Sequence, residues 1–175
     1  MSKKLFILPL FLIGAFLLTT TTSCGDKCAD KDCGNGTCLD GTCECETGYE
    51  GDDKGICNVE VRTKFLGNYT TNETCSNSGT AAPYLVGVSN GAGISDVLLS
   101  GFYGPTDTGG FVAAVKATVD GTSITIARQE PDNDNIFVEG SGSISGNVMT
   151  MTYSVSDETG GTIITNTCSN VIFTK

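Results

Sequence analysis

Histidine and tryptophan are absent from this 175-residue chain, and only ten of its residues are basic. Without imidazole, a serine or cysteine triad lacks its usual base, and with no Cys-x-x-Cys pair most zinc arrangements are excluded as well. Twenty acidic residues against those ten give a formal charge of −10. That balance argues against a nucleic-acid partner, since phosphate binding draws its affinity from clustered Lys and Arg. It suits the solubility of an exported protein. Helical periodicity is also scarce, so no phosphate-binding glycine loop opens a helix. Together these absences predict a non-catalytic protein without a cofactor.

Cysteine is plentiful instead, with nine in the chain. In a protein this small, that number implies an oxidising compartment and disulfides, and an odd count leaves one Cys outside any internal pairing. The N-terminus supplies the candidate. MSKK, the apolar run 5–18 and the small-residue stretch TTTTSC form a secretory leader too short for a comfortable membrane span. A leader whose small-residue segment ends in Cys resembles a bacterial lipoprotein signal. Ser23 stands at the small position, and Thr21 where Leu is common, as in Bacteroidetes-type signals. The resemblance implies a signal peptide over 1–23, lipidation of Cys24, and a membrane anchor of buried acyl methylenes with no transmembrane helix. Gly25 follows where an Asp would mark inner-membrane retention, so the implied address is the outer membrane, lipid-anchored and periplasmic or surface-exposed.

The segment 24–58 forms the next unit. Cys28, Cys33, Cys38, Cys43, Cys45 and Cys57 stand with almost no aliphatic residue between them. No hydrophobic core can form there, so bridges must be the framework, and spacing alone leaves their pairing open. CGNGTC, the Cys43-Glu-Cys45 pair and Gly48-Tyr49-x-Gly51 resemble an EGF-like domain. That resemblance implies the pairs Cys28–Cys38, Cys33–Cys43 and Cys45–Cys57, with Cys43 and Cys45 pointing to opposite faces of one extended strand. Calcium is not expected, because only Asp26 stands near the first cysteine; Asp52-Asp53 reads as a solvated turn.

From residue 59 to 175 the composition shifts to Gly, Ser, Thr, Val and Ile, with Cys75 and Cys168 alone among cysteines. Short alternating runs between Gly, Asn and Asp turns predict strands over 65–75, 83–90, 94–100, 111–119, 122–127, 136–145, 147–155 and 162–174. Asp120-Gly121 and Gly146-Asn147 are hairpin signals, and 130–135 reads as a polar loop. One face of 147–155 carries Met149, Met151, Tyr153 and Val155. A Cys75–Cys168 bridge would join the first strand to the last, as barrel closure requires. A β-sandwich with neighbouring terminal strands would satisfy the same bridge. The expected fold is thus all-β: a small disulfide-rich EGF-like module and an eight-stranded antiparallel barrel, or alternatively a sandwich. The opening FLGNYTTNETC and the SGSISGNVMTMTYSVSD hairpin resemble the lipocalin-like domains of Bacteroidetes lipoproteins, which implies a barrel whose mouth can admit a small ligand.

Glu130, Asp132, Asp134 and Glu139 are the acidic residues grouped closely enough for paired-carboxylate chemistry, and they read as a hairpin tip. Asp132-Asn-Asp134-Asn135 starts like a calcium loop but lacks the Gly and bidentate Glu at the required offsets. Two functions fit. In one, the barrel binds a small apolar or amphipathic ligand and the EGF-like module is a spacer from the membrane. In the other, the chain is a cell-surface adhesion or assembly component contacting an envelope or host protein.

Overall fold

The computed structural model describes residues 27–104 and 109–175. The leader 1–23 and Cys24 lie outside the described residues.

The cysteine-rich segment folds as two small hairpins. β1 (Gly36–Leu39) and β2 (Thr42–Cys45) pair around Asp40-Gly41, whose φ angles of 48° and 85° are those of a two-residue primed turn. β3 (Tyr49–Gly51) pairs with β4 (Cys57–Glu60), so this sheet crosses the 58/59 boundary expected from composition. Disulfides join Cys28–Cys38, Cys33–Cys43 and Cys45–Cys57, the pairs that the resemblance implies. Cys33 and Cys57 are the buried apolar residues of the segment, so sulfur does the work of a core.

A 3-10 helix, Val61–Lys64, leads into the second unit and fastens the two together. Val61 and Phe65 enter the large hydrophobic core. Arg62 turns the other way: its Nε donates to Glu60 Oε2 at 2.8 Å, and its Nη1 donates to the carbonyls of Gly93 at 2.8 Å and Gly91 at 3.3 Å. Gly48, at φ 92°, sits so close to the 91–95 turn that a Cβ would lie 2.5 Å from Ile94 Cγ2. The small module is therefore seated on the turn rather than hung from a linker.

The second unit comprises β5 (Gly67–Asn72), β6 (Thr74–Cys75), β7 (Gly79–Thr80), β8 (Tyr84–Asn90), β9 (Asp96–Ser100), β10 (Val115–Asp120), β11 (Ser123–Gln129), β12 (Ile136–Ser145), β13 (Val148–Asp157) and β14 (Ile164–Thr174). Eight of these pair antiparallel in the order β5-β8-β9-β10-β11-β12-β13-β14, and β14 pairs back onto β5. The sheet closes as a barrel, and the sandwich alternative falls with it. Period-2 alternation fills the inside: Tyr69, Leu99, Met149, Met151, Tyr153 and Phe173 are all fully buried side chains.

Two predicted strands differ from those observed, each for a hydrogen-bonding reason. The run 65–75 breaks at Glu73, where the chain leaves β5 and enters the short β6–β7 hairpin. The run 111–119 becomes a strand only at Val115, because the amides of Val112 and Ala113 donate to the Asp132 carboxylate at 2.9 and 2.7 Å instead of to a ladder. Phe111 still points into the core, although Val112 and Ala113 between it and β10 are both exposed.

The two barrel ends are unlike. Turns 91–95, 121–122 and 146–147 close the end that carries the module, and Lys175 donates to the Lys64 carbonyl there at 2.7 Å. The opposite end carries the β6–β7 hairpin and the longer connections 101–114, 130–135 and 158–163.

Candidate functional site

Binding and catalytic groups concentrate in loops that a rigid scaffold positions, so the long-loop end is the place to look. There the segment Gly101–Gly104 folds inward across the barrel mouth. Gly101 (φ 73°) lies so near β8 that a Cβ would meet the Leu85 carbonyl at 2.7 Å, and Tyr103 is itself held at φ 65°. This reversal points Phe102 into the barrel, where it is fully buried, 4.6 Å from the Tyr153 ring and 6.1 Å from that of Phe173. Phe102 thereby stoppers the mouth.

Tyr103 faces a polar cluster. Its hydroxyl accepts from Asn166 Nδ2 at 2.6 Å; the same amide nitrogen donates to Ser78 Oγ at 2.9 Å, and Asn166 Oδ1 accepts from the Asn77 amide at 2.8 Å. One buried amide thus fixes the β6–β7 hairpin against Tyr103 and β14.

Beside this network lies Glu73. Only 5% of it is exposed, yet no Lys or Arg pairs with it among the described residues. Its Oε2 accepts the Tyr84 hydroxyl at 2.8 Å, and Oε1 has no partner among the described residues. Burial raises the Glu73 carboxyl above its ordinary value, with the Tyr84 hydrogen bond opposing that rise. Burial also raises the Tyr84 phenol, and the charge of Glu73 adds to the effect. Glu73, Ser78, Ala81, Pro83, Tyr84 and Tyr103 line a cleft of about 360 Å³. The cleft opens at the rim, outside the filled interior.

The sequence offered its own candidates. Cys75 and Cys168 are bridged next to Glu73 and directly opposite each other in β6 and β14. Their sulfurs are consumed in a disulfide, so this trio offers a metal one carboxylate and no thiolate. The acidic loop works as turn scaffolding: Asp132 holds Val112 and Ala113, Glu130 accepts the Asn135 amide at 2.6 Å, and Asp134 accepts the Ile136 amide at 3.0 Å. Glu139 stands outward on β12, away from them. Asp52 is likewise held by its own turn, its carboxyl lowered by amide hydrogen bonds from Ile56 and Lys54.

Sequence reasoning misses Glu73, although a signal exists. Tyr69, Thr71, Glu73 and Cys75 share one phase of an alternating run and are all buried, so period 2 alone places the carboxylate inward. Two further clefts lie on the barrel wall. The larger, about 570 Å³, opens where β10 and β11 diverge beyond the Thr118–Thr125 pair. Gln129 bridges that gap, its Oε1 accepting the Lys116 amide at 2.9 Å and its Nε2 donating to the Lys116 carbonyl at 2.6 Å. The second wall cleft, about 460 Å³, crosses the outer faces of β11 to β14. Comparison of the chain with protein-family models, with curated proteins and with solved structures gives no match.

Proposed function

We propose that the chain is a lipid-anchored, non-catalytic binding protein of the bacterial outer membrane that recognises its target at the long-loop end of the barrel. The observation that carries this reading is the contrast between the two ends: tight turns and the seated module at one, long loops and the Glu73 cleft at the other. The three bridges and the Asp40-Gly41 hairpin support an EGF-like spacer, and the closed, eight-stranded antiparallel order supports a lipocalin-like recognition unit. With acyl chains at Cys24, the module side would face the lipid and the long loops would face away from it. The absence of histidine and the occupation of the acidic loop in turn scaffolding support a role without catalysis.

A second reading places an apolar ligand inside the barrel. One observation favours it: the Tyr153 hydroxyl is buried with no hydrogen-bond partner among the described residues, an unmet donor that a guest could answer. Such a ligand would have to displace Phe102, whereas a rim ligand would not.

Substituting Cys24→Ala should release the protein from membranes into the soluble fraction; retention with unchanged processing would overturn the anchor. Native mass spectrometry of residues 25–175 against an envelope extract tests recognition. An adduct that Tyr103→Ala abolishes and Val148→Ser leaves intact supports the rim. An adduct indifferent to Tyr103 overturns it.

A further inference from the structure

Glu73 is costly to the fold in a way that its neighbours do not explain. A carboxylate removed from water is stabilised by an opposing charge or by hydrogen bonds to both oxygens, and Glu73 has one hydrogen bond, from Tyr84, on one oxygen. Glutamine would accept the same hydroxyl without placing an acid in a buried position. What the carboxylate offers there and an amide would not is a negative charge.

Among the described residues nothing is placed to answer that charge. The described basic residues pair elsewhere or stand apart from it: Arg62 and Lys64 at the module end, Arg128 with Glu158 on the wall, Lys27 with Asp40 in the module. The sequence between Gly104 and Gly109, Pro-Thr-Asp-Thr, contains no basic residue. The groups facing Glu73 are the Tyr84 phenol on β8, Tyr103 across the cleft, and the Cys75–Cys168 disulfide. None of these carries a positive charge. Two tyrosine rings beside an unanswered carboxylate form a setting that favours an organic cation, through ion pairing at the acid and the negative faces of the rings.

We propose that the Glu73 cleft binds a primary ammonium or guanidinium group, whose N–H donors meet the Glu73 carboxylate between the Tyr84 and Tyr103 rings. The donors are specified by the second oxygen: Oε2 is already engaged by Tyr84, and Oε1, open to the cleft, is left to accept from a ligand N–H. A cleft of about 360 Å³ has room for an alkylammonium or a single Lys or Arg side chain. The cation can therefore come from a free amine or from a residue projecting from a partner protein. This assignment rests on the long-loop end being the recognition face and names the chemistry recognised there.

The test is an amide and side-chain NMR titration of residues 25–175 with n-butylammonium, methylguanidinium and the capped peptide acetyl-Gly-Lys-Gly-amide, with n-butanol and tetramethylammonium as controls. The expected result is saturable shifts confined to Glu73, Ser78, Tyr84 and Tyr103 with a primary ammonium or guanidinium, and none with n-butanol. Tetramethylammonium, a cation without N–H donors, should bind at least about tenfold more weakly. Glu73→Gln, which keeps the Tyr84 hydrogen bond and the side-chain volume, should weaken binding by about tenfold or more while leaving the rest of the spectrum unchanged. Binding of the peptide but neither free amine assigns the cleft to a protein side chain, and binding of all three assigns it to the amine group itself. Shifts on the barrel wall, or equal binding by the Gln variant, overturn the proposal. If no cation binds while the envelope extract still yields a Tyr103-dependent adduct, the cation is wrong and the recognition face stands. If neither occurs, both fall.

Discussion

Replacing Phe102 with Ala probes whether the barrel is a packed solid or a container with its stopper in place. The ring is fully buried and packs beside Tyr153 and Phe173, so its removal takes contacts from two aromatics at once. The lost transfer free energy of a buried Phe side chain is about 2 to 3 kcal/mol. A cavity left between β13 and β14 that the wall cannot collapse around contributes a further amount of the same order, for a total near 4 kcal/mol. With a urea slope of about 1.5 kcal/mol per molar, the unfolding midpoint should drop by roughly 2.5 M. The assay is equilibrium urea unfolding followed by tyrosine fluorescence, with and without benzene. Benzene should stabilise the Ala variant and leave the wild type unmoved, because only the variant has an apolar hole to fill. A loss under about 1 kcal/mol would refute the reasoning, since a ring removed so cheaply was never locked in the core. Benzene stabilising the wild type would refute it from the other side and would turn the functional reading toward an internal ligand.

Two further outcomes follow from the rim. Replacing Cys75 and Cys168 together with Ala opens a bridge spanning 93 positions, and the chain-entropy model puts the loss at about 4 to 5 kcal/mol. Urea unfolding of the double variant checks it, and a loss under about 1 kcal/mol would mean that β6 and β14 hold each other without the bond. Glu73 should also make stability depend on pH. Its folded carboxyl is raised above the ordinary 4.5, so the folded state keeps a proton that the unfolded state has already released. The stability present below about 4.5 is then lost as pH rises through the raised folded value. Urea midpoints of wild type and Glu73→Gln measured from acid to neutral pH should diverge in that window, with the Gln variant the more stable at neutral pH. Asp52 and Asp157, whose lowered carboxyls act in the opposite direction, are present in both proteins and cancel in the comparison. Parallel curves would place Glu73 in contact with water.

The barrel was legible because its signal is local and repeated. Val115, Ala117 and Val119, like Met149, Met151 and Tyr153, alternate inward with no interruption, and Asp120-Gly121 and Gly146-Asn147 mark the hairpins between such runs. What escaped depends on partners remote in sequence. Val112 and Ala113 leave the ladder because Asp132, some 20 residues away, takes their amides. The docking of the module likewise rests on Arg62 finding carbonyls 29 and 31 residues further on. SGFYGP reads as a turn in isolation, and nothing local tells that the turn folds inward and carries Phe102 with it. Gly140 and Gly142 give a subtler case. They weaken β12 by propensity, yet a Cβ at either position would lie within 2.6 Å of Tyr153 or Met151, so small residues on β12 make room for large ones on β13.

Glu73 differs from these because the local rule and the observed structure agree while the energetics do not. Alternation places the residue inward, inward it goes, and the result is an acid with one hydrogen bond in a buried site. Elsewhere the chain answers its buried polar groups with care: the Thr71 hydroxyl donates to the Ile172 carbonyl at 2.8 Å, the Tyr69 hydroxyl donates to the Phe65 carbonyl at 2.8 Å, and Asn166 is held at both ends of its amide. Among the described residues the one fully buried side-chain polar atom without a partner is the Tyr153 hydroxyl, and near the same end stands Glu73, whose second oxygen has no hydrogen bond and faces the cleft. Sequences that specify a structure tend to break local rules where function requires it. Tyr153 is buried in the core with its ring packed against Phe102, whereas Glu73 lines a cleft open to the rim. Of the two, the carboxylate is the one a ligand can meet without disturbing the core.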